Sequence, residues 1–269
     1  MVRATKLPQD AMEELVAGGR LKRADILLTH SKGSLLGWLI RFGTKSYWNH
    51  AAMVFVLRSP EQGYDTTFII ESGGGGIDVH NIKRYFENPR GVDVAVKRLE
   101  RDWFQDDDIG GLATRKRVRG FALQEIDDKY DYRTLLGIAR NILRQVTLGV
   151  MYLGQAGKPV EQRRPHVPRA ARRLNVNAYI CSGFVQWAYY AAVRRVLEEQ
   201  GDGDMARLAD CIFNPDVDAD ASEEVLLSTT PADLARSERL SWKYLVKDGT
   251  VWEVASAQEV DAICRGQLS

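Results

Sequence analysis

The chain has 269 residues, of which 45% are hydrophobic, enough to fill the core of one large domain or two small ones. Its 37 Lys and Arg residues are balanced by 36 Asp and Glu residues, so the formal charge of +1 provides no overall attraction to nucleic acid or to an acidic membrane surface. The three cysteines are widely spaced and form no CxxC pair, which argues against zinc and redox dithiol motifs and favours free thiols in a reducing compartment.

Residues 1–22 form a lead-in segment, in which residues 8–19 have the apolar spacing of a short helix that ends at Gly18 and Gly19. We expect this helix to cover the rest of the protein. The segment has no apolar stretch of signal-peptide length and no small-residue cleavage site. It therefore predicts a cytoplasmic protein, and delivery by a non-classical route is also compatible with it.

The first half of the chain is rich in strand patterns. A buried strand (25–28) precedes a helical pattern, SLLGWLIRFG, and the runs 50–57 and 65–72 read as an antiparallel hairpin. Four glycines at 73–76 permit backbone conformations closed to other residues, which fits a flexible loop at a strand end or the close approach of a ligand or neighbouring chain. A third strand is predicted over 92–99.

The second half is mainly helical. Helices are predicted over 102–127, from the DKYDY segment onward, and over 181–200, where an amphipathic pattern ends at Gly201. The apolar stretch 134–154 contains Arg140 and Arg144, so we expect it to pack on protein rather than to span a bilayer, with contact to a lipid or an acyl substrate as the alternative. A basic loop (158–177) and a late strand pair, YLV and VWEV, complete the pattern.

Cys181 lies in the first turn of the helix predicted for 181–200, where unpaired N–H groups and the helix dipole favour a thiolate. Ser182 and Gly183 are small and would leave room for a substrate carbonyl, and the Cys181 amide could serve as an oxyanion donor. The alternative is a buried cysteine that acts only as a small hydrophobe.

His50 and Glu71 open and close the predicted hairpin. A turn centred between residues 57 and 64 places them directly opposite each other, where the carboxylate could orient the imidazole as in a Cys/His/acid triad. A one-residue slip would turn Glu71 to the opposite face, so His80 is a reserve candidate for the third position.

Other chemistries have little support in the sequence. It contains no HExxH or GxSxG motif, and the glycine run lacks the lysine and threonine of a phosphate loop. We therefore expect no metal, no cofactor and no nucleic-acid partner.

The segment CSGFVQWAYY resembles the nucleophile motif of NlpC-type cysteine peptidases, except that the histidine here precedes the cysteine. The stretch ADILLTHSKGSLLGWLIRFGTKSYWNHAAMVFV is similar to the opening of the circularly permuted YiiX/YaeF-like branch of that superfamily. FIIES, DKYDY and TTPADLARSERL resemble later elements of the same branch, in the same order. Ala24 stands where glycine is usual, and Asn49 replaces a common serine.

The resemblance implies an α+β fold of the circularly permuted papain-like type, with a small antiparallel barrel-like sheet packed on the nucleophile helix. It implies one hydrolase domain over 1–269, with helical and loop insertions at about 101–175. By this resemblance the nucleophile is Cys181, the base is His50 and the third polar residue is Glu71.

The function expected from these residues is that of a papain-like cysteine amidase or peptidase, a thiol protease type of hydrolase. It would cleave an amide bond of a peptide-like or N-acyl substrate through an acyl-enzyme. Two alternatives are a thiol acyltransferase or lipid ester hydrolase of the lecithin retinol acyltransferase-like type, with lipid contact through 134–154, and a catalytically silent binding module.

Overall fold

A computed structural model describes residues 4–8, 13, 15, 19–33, 41, 46–57, 66–73, 76–88, 90–107, 109–127, 176–218 and 221–268. Several predicted features lie outside these residues. They are most of the lead-in helix, the helix predicted for SLLGWLIRFG apart from Arg41, the DKYDY helix, the stretch 134–154 with its expected lipid contact, and residues 158–175 of the basic loop.

Eight strands form one sheet in which every neighbouring pair is antiparallel, in the order β1-β8-β7-β6-β2-β3-β4-β5. The strands are β1 (Thr5–Lys6), β2 (Ile26–Ser31), β3 (His50–Val56), β4 (Phe68–Gly73), β5 (Gly76–Asn81), β6 (Val92–Leu99), β7 (Leu240–Lys247) and β8 (Thr250–Glu253).

The described helices are α1 (Lys83–Phe86), α2 (Asp102–Gln105), α3 (Ile109–Asp127), α4 (Val176–Gln200), α5 (Met205–Asp210), α6 (Glu223–Leu227), α7 (Pro231–Arg236) and α8 (Ala257–Cys264). Together with the antiparallel sheet they confirm the predicted α+β class. Among the described residues, no helix has the length and apolar character needed to cross a membrane.

The centre of the sheet is buried on both faces. Successive side chains of a strand point in opposite directions, so each central strand contributes to a core on either side. In β2, Ile26 and Leu28 join the large cluster that includes the apolar residues of α4, whereas Leu27 joins a second cluster on the other face. Leu15 and Leu21 belong to that second cluster. These two described residues of the lead-in therefore pack on this face of the sheet.

Helix α4 differs from its prediction in two ways. It begins at Val176 rather than at Cys181, and every side chain from Cys181 to Val193 is buried. The sequence predicted an amphipathic helix, but a helix that is covered by the sheet and by other helices has no exposed face along its buried length. Exposed side chains of α4 begin only after Val193.

The segment TTPADL forms α7 because its residues suit a helix start. The Thr230 hydroxyl accepts from the Asp233 amide, and the Asp233 carboxylate accepts from the Thr230 amide, while Pro231 occupies the first turn. At the other end of α7, the ammonium of Lys97 donates to the carbonyls of Leu234, Ala235 and Ser237. Helix α7 is thus fixed to β6 through a lysine that has no exposed area.

Other element boundaries need correction. The helix predicted over 102–127 is two helices, because Asp106 takes up an extended backbone with ψ of 136°. Residues 76–81 form β5, a strand that the sequence pattern did not predict, and its pairing with β4 brings Gly76 of the glycine run opposite Gly73. The strand predicted over 92–99 is confirmed.

Candidate active site

His50 is the first residue of β3, and the residue before it fixes where that strand begins. The Asn49 amide donates to the carbonyl of Thr29 at 3.0 Å. The Asn49 side chain accepts from the Ser31 amide at 3.3 Å and donates to the Ser31 carbonyl at 3.4 Å. Asn49 therefore joins the start of β3 to the end of β2, a role that was not assigned from the sequence.

The Nε2 atom of His50 lies 2.8 Å from Oε2 of Glu71. The strand register that produces this contact differs from the predicted one, because Glu71 is opposite Ala52 and not opposite His50. The difference is two residues, and a shift by two keeps both side chains on the same face of the sheet. His50 and Glu71 are therefore diagonal neighbours, within reach of long side chains.

Glu71 is almost fully buried, and four side chains approach its carboxylate oxygens. Oε2 accepts from His50 and from the hydroxyl of Tyr85, and Oε1 lies 3.0 Å from Nη1 of Arg84. The ring of His80 is farther away, with Nε2 3.6 Å from Oε1. Tyr85 and Arg84 were not identified from the sequence, because no motif marks α1 as part of a site.

The surroundings of Glu71 favour its charged form. Burial would raise the pKa of Glu71, but the hydrogen bond and charge of His50, followed by Tyr85 and Arg84, outweigh burial and lower the pKa to about 2. Glu71 is therefore a carboxylate at neutral pH and can act only as an acceptor.

His50 also contacts Cys181. Burial would lower the pKa of His50, but the charge and hydrogen bond of Cys181, followed by those of Glu71, raise it to about 10. Since Nε2 is engaged by Glu71, the Nδ1 atom is the one available to the sulfur. The imidazole is therefore protonated at neutral pH and lies between two groups that carry or can carry negative charge.

Cys181 does not occupy the helix position that the sequence suggested. It is the sixth residue of α4, so its amide belongs to the helical hydrogen-bond ladder and is not one of the unpaired N–H groups of the first turn. The predicted roles of the helix terminus and of the Cys181 amide as an oxyanion donor are therefore wrong for this geometry. The charge partner of the thiol is His50.

The small residues after Cys181 pack against protein. The Ser182 hydroxyl donates to the Thr229 carbonyl at 2.7 Å, and Gly183 lies against the backbone of Leu227. The room predicted at Ser182 and Gly183 for a substrate carbonyl is therefore taken up by the 227–229 segment.

One side of the site is more exposed to solvent than the rest. Cys181 has no exposed area, whereas the side chains of His50, His80 and Arg84 are 24%, 35% and 54% exposed. On this side solvent therefore reaches the imidazole and Arg84, whereas neighbouring groups cover the sulfur of Cys181. His80, the reserve candidate, approaches Glu71 from this open side and does so at the oxygen not used by His50.

The other two thiols have different surroundings. Burial raises the pKa of Cys211, and burial raises the pKa of Cys264 to about 12. Both remain protonated at neutral pH and are poor nucleophiles. Within the described ranges, no group of three His, Cys, Asp or Glu side chains is placed to hold a metal ion.

Neither a protein-family model nor a curated protein matches the chain.

Proposed function

We propose that this protein is a cysteine hydrolase that cleaves an amide bond in a peptide-like or N-acyl substrate. Cys181 is the nucleophile, His50 the acid and base, and Glu71 the group that orients His50. The observation that carries the proposal is that one imidazole ring hydrogen-bonds both the Cys181 thiol and the Glu71 carboxylate. A Cys/His/acid set in mutual contact is the arrangement that nucleophilic acyl transfer requires.

The reaction proceeds in two stages. The Cys181 thiolate attacks the substrate carbonyl carbon, and the His50 imidazolium gives its proton to the leaving nitrogen as the C–N bond breaks. The amine departs and a thioester remains on Cys181. Water then attacks the thioester, His50 takes the proton of that water, and the C–S bond breaks to release the carboxylic acid.

The electrostatics of the site suit this sequence. Glu71 stays ionised because its pKa is lowered to about 2, so it supports the imidazolium throughout the pH range of most enzymes. With the pKa of His50 raised to about 10, the proton for the leaving group is on the ring before substrate arrives.

We also propose that the fold is a circularly permuted papain-like fold of the YiiX/YaeF-like branch. Three features support this. His50 precedes Cys181 in the chain, an antiparallel sheet packs on the helix that carries Cys181, and FIIES and TTPADL occupy β4 and the start of α7. Chain order does not alter the triad, because the triad is defined by geometry.

The experiment compares the wild-type chain with Cys181→Ala and with Cys264→Ala as the matched control. A panel of N-acyl and peptidyl 4-nitroanilides reports amine release, and acid-quenched samples are searched by mass spectrometry for an acyl group on each cysteine. We expect amine release and an adduct on Cys181 in the wild type and the control, and neither in Cys181→Ala. Equal turnover in Cys181→Ala, or an adduct formed only on Cys211 or Cys264, would overturn the proposal.

A further inference from the structure

The Arg84 guanidinium is bound to the acid of the proposed triad, with Nη1 3.0 Å from Oε1 of Glu71. This contact has a cost for catalysis. The role of Glu71 is to support the positive charge on His50, and a second cation on the same carboxylate weakens that support. Tyr85 could have stabilised a buried carboxylate without adding charge, as it does at Oε2. We therefore expect Arg84 to have a function besides stabilising the Glu71 carboxylate.

The exposed surface around Arg84 carries the positive charge of its guanidinium. The Arg84 side chain is 54% exposed and has N–H groups beyond the one that faces Glu71, and the neighbouring His80 is 35% exposed. In the part of the chain that the structure describes, Glu71 is the acid paired with Arg84, and Asp78, which is 62% exposed, lies 4.0 Å from His80. A substrate entering from this side meets the guanidinium before it reaches the sulfur.

We propose that Arg84 binds a carboxylate group of the substrate close to the amide bond that is cleaved. The inference rests on the proposed function, because it assigns a substrate class to the same site. A guanidinium presents paired N–H groups that match the two oxygens of a carboxylate. When that carboxylate binds, its negative charge partly neutralises Arg84. The electrostatic stabilisation of the His50 imidazolium by Glu71 then becomes stronger. The substrate anion is thus recognised and also strengthens the triad.

Two alkylating reagents of similar size test this inference without a known substrate. Iodoacetate carries a carboxylate and iodoacetamide carries a neutral amide. In both reactions the Cys181 thiolate attacks the methylene carbon, the new S–C bond forms, and iodide leaves with the bonding electrons. Peptide mass spectrometry measures the labelling rate at Cys181 separately from Cys211 and Cys264, and the ratio of the two rates cancels the motion that exposes the buried sulfur.

The variants are Arg84→Gln, Arg84→Lys and the control Arg265→Gln, which removes an arginine that is 69% exposed directly after α8. We expect Arg84→Gln to lower the iodoacetate-to-iodoacetamide ratio by about tenfold, the scale of a hydrogen bond to a charged group. Arg84→Lys should give an intermediate ratio, because it keeps the charge but loses the paired N–H groups. Arg265→Gln should keep the wild-type ratio.

Two results would overturn the inference, and they differ in what they say about the proposed function. A ratio in Arg84→Gln equal to that of the wild type would show that Arg84 does not attract a carboxylate, while labelling of Cys181 would leave the cysteine hydrolase proposal intact. Failure of both reagents to label Cys181 in the folded wild type, with full labelling after unfolding, would remove the nucleophile itself and the carboxylate site with it.

Discussion

Gly183 lies so close to Leu227 that a β-carbon at position 183 would be 2.0 Å from the Leu227 carbonyl oxygen. The obstacle is backbone, which cannot turn aside as a flexible side chain can. Together with the hydrogen bond from Ser182 to Thr229, this contact fixes the helical turn that follows Cys181 to the connection between α6 and α7. Glycine at this position is therefore required by packing.

Replacing Gly183 by alanine should destabilise the protein, because the added methyl group must displace either α4 or α6. We expect a loss of about 1 to 3 kcal/mol in the free energy of unfolding, measured by urea denaturation. The control is Gly120→Ala in α3, where a β-carbon meets nothing within 4 Å and alanine should stabilise the helix. Equal stability of the two variants would contradict the packing seen at Gly183.

Replacing Glu71 by glutamine should lower the pKa of His50. The carboxylate that supports the imidazolium is lost, while the hydrogen bond to Cys181 remains. A fall of about one unit or more is expected for the loss of an adjacent opposite charge. NMR titration of the histidine rings measures it directly, since the chain has only 4 histidines.

The control for this titration is His80→Gln, which should leave the His50 titration near its wild-type position because His80 approaches the other oxygen of Glu71. The assignment of Glu71 as the orienting acid would be wrong if His80→Gln lowered the pKa of His50 and Glu71→Gln did not.

Acid should destabilise the wild type more than the Glu71→Gln variant. The pKa of Glu71 falls from an ordinary 4.5 in the unfolded chain to about 2 in the folded protein, so its contribution is present above pH 4.5 and is lost as the pH falls towards 2. The stability difference between the two proteins should therefore narrow over this interval in urea denaturation. A difference that stayed constant would mean that Glu71 is not stabilised as a carboxylate.

Replacing Lys97 by methionine should destabilise the protein, although methionine has a similar length. The lysine ammonium donates to three carbonyls at 2.7 to 2.9 Å near the end of α7, and these oxygens would be left without their donor. We expect a loss of about 2 to 4 kcal/mol in the free energy of unfolding at about pH 9, where the folded wild type keeps two of these hydrogen bonds from a neutral amine and bears no buried charge. Lys116→Met on the exposed face of α3 is the control and should change stability by less than about 0.5 kcal/mol.

The pH dependence of the Lys97 variant gives an independent check. Burial lowers the pKa of Lys97 to about 7, well below the 10.5 of an exposed lysine. The unfolded chain therefore binds more protons than the folded one between these values, and the wild type should gain stability as the pH rises through that range. Lys97→Met should lack this gain. A similar rise in both proteins would assign it to other groups.

Much of the site could be read from local patterns. Alternating or continuous apolar runs marked β3, β4 and β6, and the residue types of Cys181, His50 and Glu71 marked the chemistry, since a thiol, an imidazole and a carboxylate are the groups that acyl transfer by cysteine needs. The predicted contact between His50 and Glu71 is present although the predicted strand register is wrong by two residues. Side chains alternate with a period of two along a strand, so this error leaves both residues on the same face.

Other features had no local signal. The start of α4 at Val176 could not be inferred, because the residues before Cys181 resemble a loop and the helix is stabilised by packing on all sides. Arg84 and Tyr85 reach Glu71 because β5 pairs with β4 and α1 follows it directly, a placement that depends on the order of strands.

The sequence by itself determined the α+β class, the thiol and imidazole on which the proposed chemistry rests, and the shared face of His50 and Glu71, because each depends on residue type or on a short-range period. Only the tertiary structure decided which charged residue contacts Cys181, which segment packs on Ser182 and Gly183, and which cation binds Glu71. Those features depend on contacts between segments far apart in the chain, where the free energy of burial and ion pairing acts on groups that no local pattern brings together.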